Sequence, residues 1–236
     1  MADPQIVSEQ GRYYVLNKPA GYVVNDSLTA HGNLTLQDWV RNNLHTDISA
    51  DDMNRNGIVH RLDKETSGII LVAKDHEAMI ELQKLFANSS VSKLYKCLVH
   101  GKMISSELVS APIARLPKNR TKFGVVVGGR DASTEFVPQG FFEHEGWDYT
   151  LVKALPKTGR THQIRVHALH IKHPLVSDPK YLGSKAYKSD LTFCPRLFLH
   201  AASISFVDPF TNTPVTFESD LPADLSGALE RLTVSN

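Results

Sequence analysis

His60-Arg-Leu-Asp63-Lys-Glu-Thr-Ser-Gly68-Ile-Ile-Leu-Val-Ala73 is the stretch that decides the fold, and it changes character at Gly68. The polar first part places an acid among cations, whereas residues 69–73 are apolar and mostly β-branched. Such a run predicts a strand buried on both faces, with Asp63 in a turn at the rim of a sheet. A carboxylate there can act as nucleophile or general base. The same residues also suit an ordinary turn in which Asp63 accepts backbone N–H groups from Thr66 or Ser67.

The remainder of the chain predicts more strands than helices. Asp75 is expected to cap a helix with an apolar stripe that includes Ala78 and Leu82. Further strands are predicted at residues 12–16, 94–99, 122–127, 134–142, 148–155 and 203–207, and a helix at 34–44. On the strand at 94–99, Tyr95 shares a face with apolar neighbours. Few helices are placed to connect parallel strands, which indicates an α+β fold with a mixed, largely antiparallel central sheet flanked by helices.

Composition points to one globular domain spanning residues 1–236. Hydrophobic residues make up 42% and charged residues 22% of the 236 residues, close to globular averages. No repeat or long linker divides the sequence. It shows neither a secretory signal nor an apolar run of membrane-spanning length, so a cytoplasmic protein without a membrane partner is expected. The two cysteines lie far apart in the sequence, and neither has the spacing of a zinc-finger motif, so the sequence supports neither a disulfide framework nor a zinc finger.

Positive charge is concentrated in two stretches, although the formal net charge is only +1. Residues 149–177 contain no acid and carry Lys153, Lys157, Arg160, Arg165 and Lys172. Residues 110–129 also lack acids and carry Arg115, Lys118, Arg120 and Lys122. This segregation suits a face that binds a polyanion, while a merely solvated basic surface fits equally well.

The segment Lys157-Thr-Gly-Arg160-Thr161-His162-Gln163-Ile-Arg165-Val-His167 is the second candidate for chemistry. Thr161 is predicted to cap a helix that ends near residue 171 and whose N-terminus attracts phosphate. Arg165 would emerge beside the core and need a carboxylate, for which Asp63 is the natural candidate. The four histidines of residues 162–173 lack the spacing of known metal motifs, and the nucleotide-binding glycine motifs are missing, so neither metal nor cofactor is expected.

These two segments, HRLDKETSG at 60–68 and KTGRTHQIRVH at 157–167, resemble signature segments of the RluA-type family of pseudouridine synthases. The resemblance extends, in family order, to LNKPAG at 16–21, the strand from Lys93 to Gly101, HPLVSDPKYLG at 173–183 and PRLFLHAASISFVDP at 195–209. Many members carry an S4-type RNA-binding domain before the catalytic one. The first strand here starts near Arg12, so we expect the catalytic domain itself to hold the RNA.

The resemblance implies an isomerase that converts uridine to pseudouridine without a cofactor or metal. Asp63 would attack the ribose C1′ or the base C6, Tyr95 would lie against the base and take the C5 proton, and Arg165 would pair with Asp63. Arg61 would fill the space left by the flipped nucleotide. Further expected substrate contacts are His60, Lys93, Arg160, His162 and Gln163. The implied partner is a stem-loop of ribosomal or transfer RNA, bound by a monomer.

Two other functions stay open at this point. An RNA-binding protein that kept the fold but lost catalysis should have lost Asp63, Tyr95 or Arg165, and all three are present. A nucleoside hydrolase would use Asp63 with a second carboxylate such as Glu65, as glycosidases use paired acids. Release of tritium from uracil C5 distinguishes isomerisation from both.

Overall fold

The computed structural model of the chain describes residues 2–24 and 35–235. Its strands are β1 Gln5–Glu9, β2 Tyr13–Lys18, β3 Ser67–Ala73, β4 Ser92–His100, β5 Glu107–Ser110, β6 Ile113–Leu116, β7 Asn119–Val125, β8 Ser133–His144, β9 Trp147–Pro156, β10 Leu199–Val207, β11 Pro214–Glu218 and β12 Thr233–Ser235. Its helices are α1 Leu36–Asn43, α2 His76–Ala87, α3 Gln163–His170, α4 Ser184–Asp190 and α5 Ala223–Glu230, with a 3₁₀ helix at Asp52–Gly57. The predicted helix at 34–44 is confirmed as α1, although residue 34 lies outside the described part.

The predicted fold class is confirmed, because helices accompany a mixed, mostly antiparallel sheet. The chain divides into two compact units. Unit 1 comprises Met1–Ser92 and Ala201–Ser219, and unit 2 comprises Lys93–His200 and Asp220–Asn236. That the whole chain acts as one catalytic domain stays a prediction.

Unit 1 is organised around β3, whose seven residues are all buried. The strand order is β1-β2-β3-β10, with β11 pairing β10, and β1 and β2 are both antiparallel to their neighbours along this order. Asp75 caps α2 as predicted, since its carboxylate accepts the Ala78 N–H at 2.8 Å. The apolar face of α2, with Ala78 and Leu82, packs into the same core as Leu71. The burial of β3 on both faces explains its continuous apolar sequence.

Gly68 allows the backbones of β3 and β10 to approach each other closely. Its φ of +119° is unfavourable for residues with a side chain, and a Cβ at this position would lie 2.2 Å from the carbonyl oxygen of Ala201. A glycine is therefore required where the Asp63 turn enters the strand.

Unit 2 contains the strand order β4-β9-β8-β12, with β5 on β8 and a separate β6–β7 hairpin. The two faces of β4 pack into different cores, as the alternating sequence predicts. Cys97 and Val99 lie in one cluster, against which Tyr95 packs, and Leu98 lies in another. Helix α3 contributes Ile164 and Ala168 to the cluster against which Tyr95 packs.

Candidate active site

Asp63 lies in a partly exposed turn directly before β3 in unit 1. The Thr66 N–H donates to the Asp63 carbonyl oxygen at 3.0 Å, which closes the turn. Leu62 is 4% exposed and anchors one side of Asp63, and the fully buried β3 anchors the other. The sequence thus places this carboxylate on a loop that is held at both ends by core residues.

Lys18, at the end of β2, ties this turn to the neighbouring one. Its side chain is completely buried, and Nζ donates to the carbonyl oxygens of Pro19 at 2.8 Å, Tyr22 at 3.1 Å and Lys64 at 3.4 Å. The Gly21 N–H also donates to the Lys64 carbonyl at 2.8 Å. A buried ammonium group requires such compensation. The sequence carried one signal for this role, which is a lysine between a strand and Pro-Ala-Gly.

The segment that leads into the Asp63 turn is shaped by Asn56. Arg55, Asn56 and Gly57 all have positive φ, and a Cβ on Gly57 would lie 2.4 Å from the Ala73 carbonyl oxygen. The buried Asn56 side chain accepts from Gln37 Nε2 at 2.8 Å and donates to the Ser49 carbonyl oxygen at 2.8 Å. The Asn-Gly pair was the available sequence signal, since both residues tolerate this conformation.

His60 and Arg61 differ in how the structure uses them. The His60 ring stacks on Phe86 with centroids 4.5 Å apart, and its Nε2 accepts the Leu71 N–H at 3.1 Å. These contacts give His60 a structural role in unit 1, and its contact with RNA stays a prediction. Arg61 is exposed and has no hydrogen bond or ion pair to any residue within 2–24 or 35–235.

In unit 2, Arg165 projects from α3 into a buried ion pair with Asp178. Arg165 Nε lies 2.8 Å from Asp178 Oδ2 and Nη2 lies 2.7 Å from Oδ1. The two side chains are 3% and 1% exposed. The sequence predicted Asp63 as the natural partner of Arg165 and gave no role to Asp178, the residue that ends the acid-free stretch at 149–177. Pairing of Arg165 with Asp63 stays a prediction.

The start of α3 corrects one expectation. Thr161 is not the N-cap, because the helix begins at Gln163 and His162 occupies the cap position with φ of 55° and no side-chain capping bond. The buried Gln163 amide fixes the preceding loop instead. Its Oε1 accepts from Thr158 Oγ1 at 2.7 Å and from the Arg160 N–H at 2.9 Å.

Gln163 Nε2 donates to the Ser133 carbonyl oxygen at 2.9 Å and to Thr134 Oγ1 at 3.0 Å. Together with the two bonds to Oε1, these use the full hydrogen-bonding capacity of the amide. They give Gln163 a positioning role in unit 2, and its contact with substrate stays a prediction.

Lys93 and Arg160 lie at the same loop of unit 2. Lys93 Nζ donates to the Thr158 carbonyl oxygen at 3.3 Å, and burial lowers the pKa of Lys93. Arg160 Nε donates to the Asp131 carbonyl oxygen at 3.0 Å. Lys157 is exposed at the beginning of this loop. The structure therefore brings these three basic residues to one stretch of backbone.

Two further predicted site residues, Tyr95 and His162, also lie in unit 2. Tyr95 lies on β4 opposite Ala154 of β9 and is partly buried. His162 Nδ1 is 2.8 Å from the hydroxyl of Tyr181, a residue that the sequence analysis did not single out. The only available signal for Tyr181 was its place in the segment at 173–183.

Among residues 2–24 and 35–235, no three His, Cys, Asp or Glu side chains group as a potential metal site. None of the helices in these ranges is long and apolar enough to cross a membrane.

The fold is that of pseudouridine synthases. The solved structure titled Human RNA Pseudouridylate Synthase Domain Containing 1 matches with a TM-score of 0.77 at 22% identity, covering 98% of this chain and 89% of the human one. A family model described as RNA pseudouridylate synthase matches residues 12–170, which include both motif segments. The chain belongs to this family, and the predicted resemblance is confirmed.

Bacterial relatives agree with this assignment. A protein of Chloroflexus aurantiacus named "Uncharacterized RNA pseudouridine synthase" is 38% identical over 92% of this chain and 65% of its own length. A protein of Pseudomonas aeruginosa named "Ribosomal large subunit pseudouridine synthase D" is 38% identical over 97% of this chain and 71% of its own length. The chain thus spans about two thirds of the length of the first and somewhat more of the second.

Proposed function

We propose that this protein is an RNA pseudouridine synthase that isomerises specific uridines in structured RNA. The observation that carries the proposal is the family match over residues 12–170, which spans Asp63, Tyr95 and Arg165 in a member of an isomerase family. A member that had lost catalysis would be expected to lack one of these three residues, and all three are present.

The proposed reaction is redox-neutral. The Asp63 carboxylate forms a bond to C1′ or C6, and the bond between N1 and C1′ breaks. The uracil turns, a bond forms between C5 and C1′, and the bond to Asp63 breaks, which returns the free carboxylate. The C5 proton leaves, with Tyr95 as the proposed group that takes it, and N1 gains a proton. Arg165 is proposed to pair with Asp63 and to keep it anionic. The reaction exchanges no electrons with a cofactor.

Features of the individual units support these roles. The bidentate pair with Asp178 fixes the direction of the Arg165 guanidinium, because two parallel hydrogen bonds define its plane. Arg61 is exposed two residues before Asp63 and carries a charge that can contact phosphates. A cation that enters the stack helps offset the few kcal/mol that flipping a base costs.

The proposed substrate is a stem-loop of ribosomal RNA, with transfer RNA as the second candidate. The name of the Pseudomonas relative refers to the large ribosomal subunit, which favours the first. The basic runs at 110–129 and 149–177 are proposed to contact the RNA backbone, and a stem-loop exposes unstacked bases. We also propose that the protein acts in the cytoplasm as a monomer without a metal.

One doubly labelled substrate tests the proposal against its rivals. The RNA carries tritium at uracil C5 and labelled carbon in the uracil ring, and it is made as ribosomal and as transfer RNA fragments. A synthase releases the tritium and leaves the carbon in the RNA. Release of the carbon as free uracil would establish hydrolysis, and binding without release of either label from any fragment would establish an RNA-binding protein; both results contradict the proposal.

A further inference from the structure

Tyr181 connects Arg165 to the β6–β7 hairpin within unit 2. The guanidinium carbon of Arg165 lies 5.1 Å from the centroid of the Tyr181 ring. The Tyr181 hydroxyl lies 2.8 Å from His162 Nδ1 and accepts the Phe123 N–H of β7 at 3.1 Å. One side chain therefore contacts Arg165 of α3, His162 at its N-cap and the hairpin, where Lys122 Nζ also lies 5.9 Å from the Tyr181 centroid.

The Arg165 guanidinium is held on its edge and on its face. Asp178 binds the edge, and the Tyr181 ring covers the face, where the quadrupole of an aromatic ring attracts a cation. The N–H groups of Lys180 and Tyr181 donate to Asp178 Oδ1 at 2.9 and 3.1 Å. The carboxylate that binds Arg165 thus also fixes the backbone that carries the ring, so the two contacts support each other.

The β6–β7 hairpin that Tyr181 contacts carries the basic run at 110–129. Its cations are Arg115, Lys118, Arg120 and Lys122, and the turn between the strands is exposed. The Phe123 ring meets His162 edge-on, with centroids 5.6 Å apart. The guanidinium carbon of Arg115 lies 5.2 Å from the Phe123 centroid. Val125 packs in one cluster with Val166 of α3. Ile113 of β6 also exchanges backbone hydrogen bonds with Arg130 at 2.9 and 3.0 Å. Residues 117–121 at the turn of the hairpin are exposed.

We propose that Tyr181 is a positioning residue with two separable effects on the reaction. Its ring orients Arg165, and its hydroxyl fixes the hairpin against the beginning of α3 in the position that binds RNA. This inference rests on the proposed function, in which Arg165 acts in catalysis and the hairpin contacts the substrate. Loss of the hydroxyl should therefore weaken substrate binding, whereas loss of the ring should also slow the chemical step.

Two substitutions separate the effects. Tyr181→Phe keeps the ring and removes the hydroxyl, and we expect KM for RNA to rise about fivefold with kcat within about twofold of wild type. Tyr181→Leu removes both, and we expect a further fall in kcat of about tenfold. Tyr187→Phe on α4 is the matched control, because this hydroxyl has no hydrogen bond to another described residue, and it should leave both constants unchanged. Unfolding curves establish that each variant is folded.

A readout that needs no activity separates this inference from the proposed function. Limited trypsin digestion cleaves after Lys118 or Arg120 at the hairpin turn, and Tyr181→Phe should be cut faster there than wild type while cleavage elsewhere is unchanged. An active wild type with unchanged KM and unchanged cleavage in Tyr181→Phe would overturn the inference alone. Equal kcat values for Tyr181→Phe and a folded Tyr181→Leu would overturn the role of the ring. A wild type that releases no tritium would contradict the proposed function. The trypsin result would still show whether the Tyr181 hydroxyl fixes the hairpin.

Discussion

Arg165 and Asp178 are joined by two charge-assisted hydrogen bonds of 2.8 and 2.7 Å, and both side chains are almost completely buried. A buried charge that loses its partner keeps the desolvation penalty without the compensating attraction. The pair therefore links the stability of unit 2 to the orientation of a proposed catalytic group.

Asp178→Asn should lower the free energy of unfolding by about 3 to 5 kcal/mol, because it removes the carboxylate charge with which the buried guanidinium makes two hydrogen bonds. Asp224→Asn is the matched control. Asp224 pairs with Arg196 through the same two-bond geometry, at 2.6 and 3.0 Å, but its side chain is 41% exposed, so the loss should stay below about 1 kcal/mol. Urea denaturation measures both, and equal losses would contradict the structural assignment.

Gly68→Ala should destabilise unit 1 by about 3 kcal/mol or more, because the added methyl group meets the Ala201 backbone and the positive φ becomes strained. Gly11→Ala lies in the same unit with no heavy atom within 4 Å of the added Cβ and should change stability little. Thermal unfolding of the two variants provides the comparison. A Gly68→Ala protein as stable as Gly11→Ala would show that β3 and β10 do not approach as described.

The buried His167 should make stability depend on pH. Its Nε2 lies 3.0 Å from the Ala111 carbonyl oxygen and therefore donates, while Nδ1 accepts from the Thr134 hydroxyl at 2.9 Å. Burial lowers the pKa of His167 below the ordinary 6.5. Below about pH 6.5 the unfolded chain then binds more protons than the native one, so the free energy of unfolding falls as pH decreases towards the lowered pKa.

His167→Asn should remove this part of the pH dependence, since an amide does not titrate. His45→Asn, at an exposed position of unit 1, is the control and should keep the wild-type slope. Denaturation at a series of pH values gives the slopes. A His167→Asn slope that matches wild type below pH 6.5 would contradict the prediction.

Lys157→Ala should weaken RNA binding and make it less dependent on salt. Each lost phosphate contact reduces the slope of log affinity against log salt by about 0.7 to 0.9. Lys84→Ala is the control, because the charge of Lys84 is already neutralised by Glu81 at 2.7 Å. Arg160→Ala should behave like Lys157→Ala. Unchanged slopes for both loop variants in a filter-binding titration would place the RNA elsewhere.

The sequence was sufficient for features that depend on local patterns. The apolar run after Gly68 predicted the buried β3, Asp75 predicted the start of α2, and alternation on β4 predicted that Tyr95 faces a core. These features follow from periodicity and capping, which are properties of neighbouring residues.

Features that depend on distant residues were not predictable. Asp178 lies 13 residues from Arg165, and only the folded chain shows that its carboxylate reaches the guanidinium. The same holds for the Tyr181 contact with Phe123, which joins residues 58 apart. Thr161 was a reasonable N-cap by residue type, but the helix begins at Gln163 and His162 occupies the cap position with a φ of 55°.

The most direct test of the proposed mechanism is tritium release from RNA labelled at uracil C5 by Asp63→Asn and Glu65→Gln proteins. If Asp63 is the nucleophile, Asp63→Asn lowers the release rate at least about a thousandfold while RNA affinity is largely retained. Glu65→Gln then keeps most of the activity, whereas a mechanism with paired carboxylates would lose it. Near-normal tritium release by Asp63→Asn would contradict the account.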